Sequence, residues 1–245
     1  MLFVVKKGSD KLFDNFFERF YRIFIEGKGY LLLIDGLKYT LIISLIAVMI
    51  GIILGALLAV CKVIPHKNIF TKILNGIASV YITIIRGTPI MVQLLLFYFG
   101  IFATSLRDFE YKALFIAILV FGINSSAYVA EIIRSGILSI DKGQMEAGRS
   151  LGLTYGTTMT KIILPQAIKN ILPALGNEFI VMIKETSVAG FITVFDLTRA
   201  ARAIVADYYD AFVPYLVLAV IYLVLVMIFT YFLNMLERRL RKSDH

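Results

Sequence analysis

The chain has 245 residues, of which 59% are hydrophobic and only 17% are charged, and its formal net charge is +8. A soluble domain of this length could not cover so much apolar surface, so the composition predicts a protein that lies in a membrane. The excess of bases is then explained by membrane topology and not by nucleic acid. The single cysteine excludes an intrachain disulfide, and neither His66 nor His245 has neighbours at the spacing of metal ligands, so we expect no metal site.

Residues 1–30 form the first predicted element, an N-terminal amphipathic arm. Its apolar residues recur at helical spacing with charged residues between them, and they are Phe13, Phe16, Phe17, Phe20, Ile23 and Phe24. This pattern is typical of a helix that lies along the membrane interface. We expect the arm to anchor the chain ahead of the first span.

Residues 31–245 predict a transmembrane domain. A helix needs about 20 apolar residues to cross a bilayer. Five segments meet or approach that length, and they are 36–63, 90–104, 113–133, 171–192 and 213–235. The second is expected to extend backward beyond residue 90. The fold class is therefore all-α, a polytopic membrane protein with five transmembrane helices behind an amphipathic interfacial helix, and the odd number of spans places the termini on opposite sides.

The first span carries a stripe of small residues. Ala47, Gly51, Gly55 and Ala59 recur at intervals of four on one face of the helix. Small side chains let two helix backbones approach closely, so the stripe predicts a helix–helix contact and needs no role in transport.

The segment Arg86-Gly87-Thr88-Pro89 interrupts the run from residue 70 to residue 104. At about 1.5 Å per residue a continuous helix of that length would overshoot the bilayer, so we expect a break here. Thr88 can cap a helix that begins at Pro89, and a helix N-terminus beside an arginine favours an anion. Arg86 is therefore a candidate to bind a substrate carboxylate. The alternative is a structural charge that pairs with an acid or with carbonyls at the membrane edge.

Polar side chains also lie in the third predicted span. One stripe of this helix holds Asn124, Tyr128, Glu131 and Ser135. Asn124 and Ser125 lie deep enough to line a substrate path. Glu131 lies nearer the membrane edge, and we expect it to pair with Arg134 or with a base of the following loop.

The fourth predicted span is the least apolar. Polar residues repeat on it at intervals of seven, with Asn170, Asn177 and Lys184 on one stripe and Glu178 and Glu185 on the next. Polar and charged side chains are costly in contact with lipid, so we expect this face to lie against protein or water. We assign Glu178 to the substrate path, whereas a polar interface between two subunits explains Lys184 and Glu185 better.

Residues 146–165 carry the most specific pattern in the chain, EAGRSLGLTYGTTMTKIILP. Glu146, Ala147 and Gly148 are followed by Gly152. Residues 162–165 then have the pattern Ile-x-Leu-Pro, where x is any residue. This spacing resembles the EAA loop of the membrane subunits of bacterial ABC importers, although Gly148 stands where that family prefers alanine. An ordinary loop whose acid starts a helix well is the simpler alternative.

Two further segments are similar to the permease subunits of ABC importers for polar amino acids of the histidine, glutamine and arginine type. They are RGTP at Arg86, followed by Gln93, and GNEF at Gly176. The resemblance extends over about residues 30 to 240.

This resemblance implies a multi-subunit importer. The loop at about 138–165 would hold a short cytoplasmic coupling helix, and Glu146, Ala147, Gly148 and Gly152 would contact a separate ATPase. The other implied partners are a second permease subunit, identical or not, a second copy of the ATPase, an extracytoplasmic substrate-binding protein and membrane lipid. Since the sequence has no G-x-x-x-x-G-K-[ST] phosphate loop, we expect no enzymatic activity and no cofactor in this chain, with ATP used by the partner.

Two other functions stay open at this point. An ion-coupled secondary transporter of amino acids would use Glu178 and Glu185 as proton or cation sites, although five helices without an internal repeat fit that class poorly. A non-transporting membrane scaffold would use the EAA-like loop for docking only.

The distribution of Lys and Arg predicts the orientation. Outside the arm, the loops and helix ends on one side hold five bases. The other side holds twelve, which are Lys62, Lys67, Lys72, Arg134, Lys142, Arg149, Lys161, Lys169, Arg238, Arg239, Arg241 and Lys242. The richer side is cytoplasmic by the positive-inside rule. We therefore expect a multi-pass protein of the bacterial cytoplasmic membrane, with the EAA-like loop and the C-terminus in the cytoplasm.

Overall fold

The computed structural model describes residues 15–65 and 68–241, and every regular element within those ranges is helical. The all-α class is therefore confirmed. Some residues named above lie outside the described part of the chain: Phe13 of the arm, His66, Lys67, Lys242 and His245.

The helices follow one another as α1 (Tyr21–Glu26), α2 (Gly29–Val63), α3 (Ile69–Gly87), α4 (Ile90–Leu95), α5 (Lys112–Leu138), α6 (Lys142–Ser150), α7 (Tyr155–Thr158), α8 (Leu164–Glu185), α9 (Leu197–Tyr208) and α10 (Phe212–Arg241). Wider π-helical turns form α1 and continue α4 to Ile101 and α7 to Ile163. A tighter 3-10 helix continues α8 from Thr186 to Ile192.

Four of these helices are long and apolar enough to cross a membrane, namely α2, α3, α5 and α10. The segment from Ile90 to Ile101 is a shorter apolar helix. The predicted second span is thus a pair of helices, with α3 on one side of the break and α4 on the other. α8 has 22 residues but carries several charges, so composition alone does not identify it as a span. The count of five crossings stays a prediction.

α2 and α5 form the centre of the bundle and run parallel. Gly51 lies against Ser125 and Gly55 lies against Val129, because a Cβ atom at these glycines would come within 2.6 Å and 2.7 Å of those side chains. Both alanines of the small-residue stripe are buried as well, so the predicted helix–helix contact is confirmed. Two parallel helices need a returning segment between them, and α3 with α4 provides it.

α8 runs antiparallel to α5. Ser125 of α5 bonds to Glu178 of α8, while Ser139, the residue after the end of α5, accepts a hydrogen bond from Asn170 near the start of α8. Glu178 is therefore buried against α5, whereas Asn170, Asn177 and Lys184 of the neighbouring stripe are exposed. The prediction that the polar face lies against protein or water is met in these two ways.

α10 packs antiparallel on α8 at one edge of the bundle. The rings of Phe179 and Phe229 lie 5.1 Å apart between centroids, and Gly176 faces Leu233. The most apolar stretch of α10 is buried nowhere within the described residues, so that face is available to lipid or to another subunit.

The described part of the arm packs at the end of the bundle where α9 and α10 meet. Ile23 and Phe24 are buried in one cluster with residues of α9 and with Val213 of α10. Arg19 forms an ion pair with Asp210, whose side chain is 5% exposed. The arm thus contacts other helices through one face, while other apolar residues, including Phe17, remain exposed.

Candidate functional site

The predicted break separates α3 from α4 at the RGTP segment. α3 ends at Gly87, and Thr88 is extended with φ −119° and ψ 141°, as expected for a residue that precedes a proline. Because Pro89 has no N–H, the carbonyl of Ile85 loses the donor that a continuous helix would supply.

Thr88 does not cap the next helix, so that prediction is wrong. Its hydroxyl donates back to the carbonyl of Ile84 in α3 at 2.9 Å. α4 begins at Ile90 without a side-chain cap. The hydroxyl is engaged by the helix that ends here and is therefore not directed at the N–H groups of the helix that begins.

Gln93 supplies the donors that the break lacks. Its Nε2 lies 2.8 Å from the carbonyl oxygen of Ile85, 3.1 Å from that of Thr88 and 2.8 Å from the Thr88 hydroxyl. Its Oε1 accepts a hydrogen bond from Nδ2 of Asn124 at 3.3 Å. One buried side chain of α4 thus contacts α3, the break and α5.

Asn124 lies in the core of the bundle with 3% of its surface exposed. Its Oδ1 is the one buried side-chain polar atom among the described residues that lacks a hydrogen-bond partner. Such an acceptor costs about 1–3 kcal/mol when it stays unpaired. The amide oxygen therefore retains the capacity to accept one more hydrogen bond.

Ser125 and Glu178 form a direct contact between α5 and α8. The serine hydroxyl donates to Oε1 of the carboxylate at 2.8 Å, and Glu178 is 7% exposed. Gly51 of α2 leaves room for the serine side chain. The structure therefore places a carboxyl group at the meeting point of three helices.

Arg86 lies at the C-terminal end of α3, and its side chain is 43% exposed. Its guanidinium lies 5.2 Å from the centroid of the Tyr128 ring and 4.0 Å from the carboxylate of Glu131. Glu131 forms a closer pair with Arg134 at 2.7 Å, so the predicted pairing of Glu131 is confirmed. Arg86 thus has the acidic partner that the structural alternative requires.

The four predicted substrate residues are only partly brought together. Ser125 contacts Glu178, and Asn124 precedes Ser125 in α5, whereas the contacts of Arg86 are with Tyr128 and Glu131. Their common substrate path stays a prediction. The role of Gln93 was missed, although a glutamine four residues after a proline in an apolar segment was a usable signal.

The EAA-like loop contains a separate short helix, α6, which is polar and largely exposed. Asp141 caps it by accepting a hydrogen bond from the N–H of Gly143 at 2.6 Å. Glu146 and Ala147 are exposed, so both are available to a partner. Tyr155 donates to the carbonyl of Val63 at 3.3 Å, which ties the loop to the end of α2.

Gly148 differs from its two neighbours because it is buried. A Cβ atom here would lie 2.5 Å from Cγ2 of Thr158 in α7. The glycine therefore permits α6 and α7 to approach closely, and the departure from the alanine of the family pattern has a packing reason in this chain.

Gly152 ends the loop helix in a left-handed conformation. Its φ is +80°, and a Cβ atom would meet nothing within 4 Å. Glycine adopts this conformation without steric cost, whereas other residues are strained in it. The glycine is needed for the backbone turn and not for contact with other described residues.

A groove of about 690 Å³ lies between α6 and the ends of the core helices. Its charged lining residues are Lys62, Glu131, Arg134, Asp141, Lys142 and Glu146. The groove thus joins the exposed loop helix to the ion pair in α5.

The amino-acid sequence of the chain matches a known protein family and is similar to known transport proteins. Residues 47–242 match the family described as "Binding-protein-dependent transport system inner membrane component". The chain is 39% identical over 212 residues to the arginine transport system permease protein ArtQ of Bacillus subtilis (strain 168), covering 86% of this chain and 94% of that protein. It is also 39% identical to the glutamine transport system permease protein GlnP of Escherichia coli (strain K12), with 86% and 93% covered.

A solved structure is similar to this chain in fold as well as in sequence. The structure titled "Crystal structure of an amino acid ABC transporter with histidines" matches with a TM-score of 0.78 and 46% sequence identity. The match covers 87% of this chain and 96% of the chain in that structure.

Proposed function

We propose that this chain, which belongs to the family of binding-protein-dependent transport system inner membrane components, is the permease subunit of an ATP-driven importer for a polar amino acid. The relatives named for arginine and glutamine transport support the substrate class. The observation that carries the coupling to ATP is α6, an exposed polar helix whose loop is bonded to the end of α2.

ATP hydrolysis would occur in a separate subunit, because this sequence contains no phosphate-binding loop. A dimer of ATPase subunits would bind the α6 helices of two permease subunits. Closure of that dimer would move α6, and the packed α6–α7 contact and the adjoining α8 would pass the movement to the core. Rocking of the two helix bundles would then expose a central site to each side of the membrane in turn.

The family description and the exposed surfaces of the chain support the remaining partners of the proposal. An extracytoplasmic binding protein would deliver the substrate on the side opposite α6. A second permease subunit and lipid would cover the exposed face of α10. The base-rich side, which includes α6 and the end of α10, would face the cytoplasm of a bacterium.

An uptake experiment tests the proposal. The chain is reconstituted in liposomes with its ATPase and its binding protein, and uptake of arginine, histidine, glutamine and leucine is compared. We expect uptake of at least one polar amino acid that requires ATP and persists when proton and sodium gradients are dissipated. Uptake that follows an ion gradient without ATP would identify a secondary transporter, and ATPase binding without any uptake would identify a scaffold.

Two substitutions in the loop test the coupling step. Glu146→Lys reverses an exposed charge of α6, and Gly152→Asp strains the turn that ends it. Both should reduce recovery of the ATPase in a pull-down and reduce ATP-dependent uptake, while the helical content is retained. Glu110→Lys, a charge reversal at an exposed position of another loop, is the control. Full ATPase recovery and full uptake in both loop variants would contradict docking through α6.

A further inference from the structure

We propose that Gln93 is a positioning residue, which holds the break between α3 and α4 in place and ties it to α5. Only the expected effect on uptake rests on the proposed transport function. The effect on the break is a property of the chain itself.

The first argument is that Gln93 supplies a hydrogen bond that the backbone cannot make at Pro89. In a continuous helix the carbonyl of Ile85 would accept from the N–H of residue 89, but Pro89 has none. Nε2 of Gln93 occupies that role at 2.8 Å and also contacts the carbonyl and hydroxyl of Thr88. Backbone groups that stay unpaired inside a membrane are costly, so a helix break within the membrane would need such a donor.

The second argument is the chemistry of the glutamine side chain. Its terminal amide provides two N–H donors and one carbonyl acceptor. The donors serve the break, and the acceptor receives Nδ2 of Asn124 at 3.3 Å. Glutamate keeps the acceptor but loses the donors when ionised, and methionine has a similar length but lacks both functions.

The third argument is the position of the link within the bundle. Asn124 precedes Ser125, which bonds to Glu178 of α8 at 2.8 Å. A line of polar groups therefore runs from the break through α5 to α8. A displacement of α5 or α8 is passed to the break through Gln93. Without this residue the break loses its polar link to α5, although Ile90 and Leu94 still pack in the core.

Nitroxide labels on two glycines of α3 test the local effect. A Cβ atom at Gly76 or at Gly87 meets nothing within 4 Å, so cysteine fits at both positions after Cys61→Ala removes the native thiol. In the full-length chain, Gln93→Met should make the label at position 87, beside the break, more mobile, so that the lines of its electron paramagnetic resonance spectrum narrow. The spectrum of the label at position 76 should not change. Gln166→Met is the matched control, because Gln166 also donates to a carbonyl, that of Ile162 at 2.8 Å, but far along the chain from the break.

Uptake by the reconstituted complex provides the second measurement. We expect Gln93→Met to raise KM about tenfold, the usual consequence of losing a buried hydrogen bond that orders a site, with a smaller change in kcat. Gln93→Glu, which keeps the size and the acceptor, should also mobilise position 87 and serves as the test variant if the methionine variant does not fold.

The outcomes separate the two proposals. An unchanged spectrum at position 87, or equal narrowing at both positions, would overturn the role of Gln93, since the second result indicates general loosening of the fold. Narrowing at position 87 with an unchanged KM would reduce Gln93 to a structural residue and also overturn its positioning role. A wild-type complex that imports no amino acid would contradict the proposed function, while the two spectra would still decide the link between Gln93 and the break.

Discussion

Glu178 and Ser125 show how single polar side chains are held within the apolar bundle. The carboxylate is 7% exposed and accepts one hydrogen bond from a serine of the neighbouring helix. A carboxylate can accept several hydrogen bonds, so Ser125 leaves capacity for a cationic group. The same geometry also suits a purely structural contact, and a substitution that changes the charge but not the shape distinguishes the two.

Glu178→Gln is that substitution. It keeps the size of the side chain and a carbonyl acceptor for Ser125, so the fold should be retained. If the carboxylate contacts substrate, the KM for a cationic amino acid should rise about tenfold, because a charge-assisted hydrogen bond contributes about 1.5–3 kcal/mol. Uptake kinetics for a cationic and a neutral amino acid measure the effect.

The neutral amino acid is the internal control, and Glu110→Gln, on an exposed loop, controls for loss of one negative charge. Equal KM changes for both amino acids, or no change for either, would assign Glu178 to the α5–α8 contact alone.

Gly148 provides a second test at the scale of one residue. Alanine is preferred to glycine inside helices by about 1 kcal/mol, but a Cβ atom at position 148 would lie 2.5 Å from Cγ2 of Thr158. We expect Gly148→Ala to lower the melting temperature and ATP-dependent uptake because α6 and α7 must separate. Thr158→Ser removes the methyl group and keeps the hydroxyl that donates to Thr154, so it should restore part of the loss.

Gly156→Ala is the matched control for this experiment. It lies in the same loop, and a Cβ atom there meets nothing within 4 Å. If the Gly148→Ala protein is as stable and active as the Gly156→Ala protein, α6 and α7 can separate without loss of stability or uptake, which contradicts this prediction.

Helices were predicted best where the sequence pattern is local. The small-residue stripe of α2 and the break at Pro89 follow from neighbouring residues, whereas the short helix of the EAA-like loop was expected from the family resemblance. The structure contains each of them. Predictions failed or were missing where a polar side chain has several possible partners. The hydroxyl of Thr88 bonds to the carbonyl of Ile84, one turn earlier in α3, and not to the helix that follows. The amide of Gln93 bonds to Asn124 of α5, a partner that only the folded bundle brings within reach.

The arm is the clearest case of an element whose position could not be derived from its own sequence. Its periodicity predicts an apolar face but does not distinguish lipid from protein as the covering. Asp210, almost two hundred positions away, provides the ion pair with Arg19 and also accepts from the N–H of Phe212 at the start of α10. This double use explains why a carboxylate precedes α10.

The arm contact should depend on pH. The hydrogen bond from Arg19 lowers the pKa of Asp210 below the ordinary aspartate value of about 3.9. A carboxylate whose pKa is lowered in the folded state stabilises the contact above its unfolded pKa and loses that effect as the pH falls through the lowered value. A nitroxide at Tyr21→Cys, an exposed position of α1, should therefore become mobile as the pH is lowered below about 4.

Asp210→Asn keeps the cap of α10 but weakens the ion pair, so it should give a mobile label at neutral pH as well. Asp35→Asn removes an ion pair whose side chains are both more than half exposed, and it should leave the label unchanged. A label in the wild-type protein that stays immobile at every acidic pH at which the helical content is retained would contradict this account.

Alternating helix directions organise the whole molecule. Parallel packing of α2 and α5 and antiparallel packing of α8 on both α5 and α10 place the EAA-like loop and the end of α10 at the same end of the bundle. The arm and α9 lie at the other end. The unequal distribution of bases along the sequence thus coincides with a spatial separation of the two ends.

Reporter fusions test the orientation of these ends. A fusion after Lys142 should report the cytoplasm and a fusion after Asp207 the opposite side, because the positive-inside rule assigns the base-rich end to the cytoplasm. Cys61 should then react only with a thiol reagent that enters the cell, whereas a cysteine placed at Asp108 should react with an impermeant one. Equal signals from the two fusions would rule out a single crossing by α8 between them.

During synthesis, the broken helix reaches the membrane before the helix that completes its bonding. The mean hydropathy of α3 is 1.3, against 3.0 for α2. Gln93 bonds to Asn124 and Tyr81 bonds to Ser126, but these two residues of α5 have not yet been synthesised at that time. Because unpaired polar groups cost several kcal/mol in hydrocarbon, residues 69–101 should wait beside the translocation channel until α5 emerges. The broken helix and α5 would then enter the lipid as one unit.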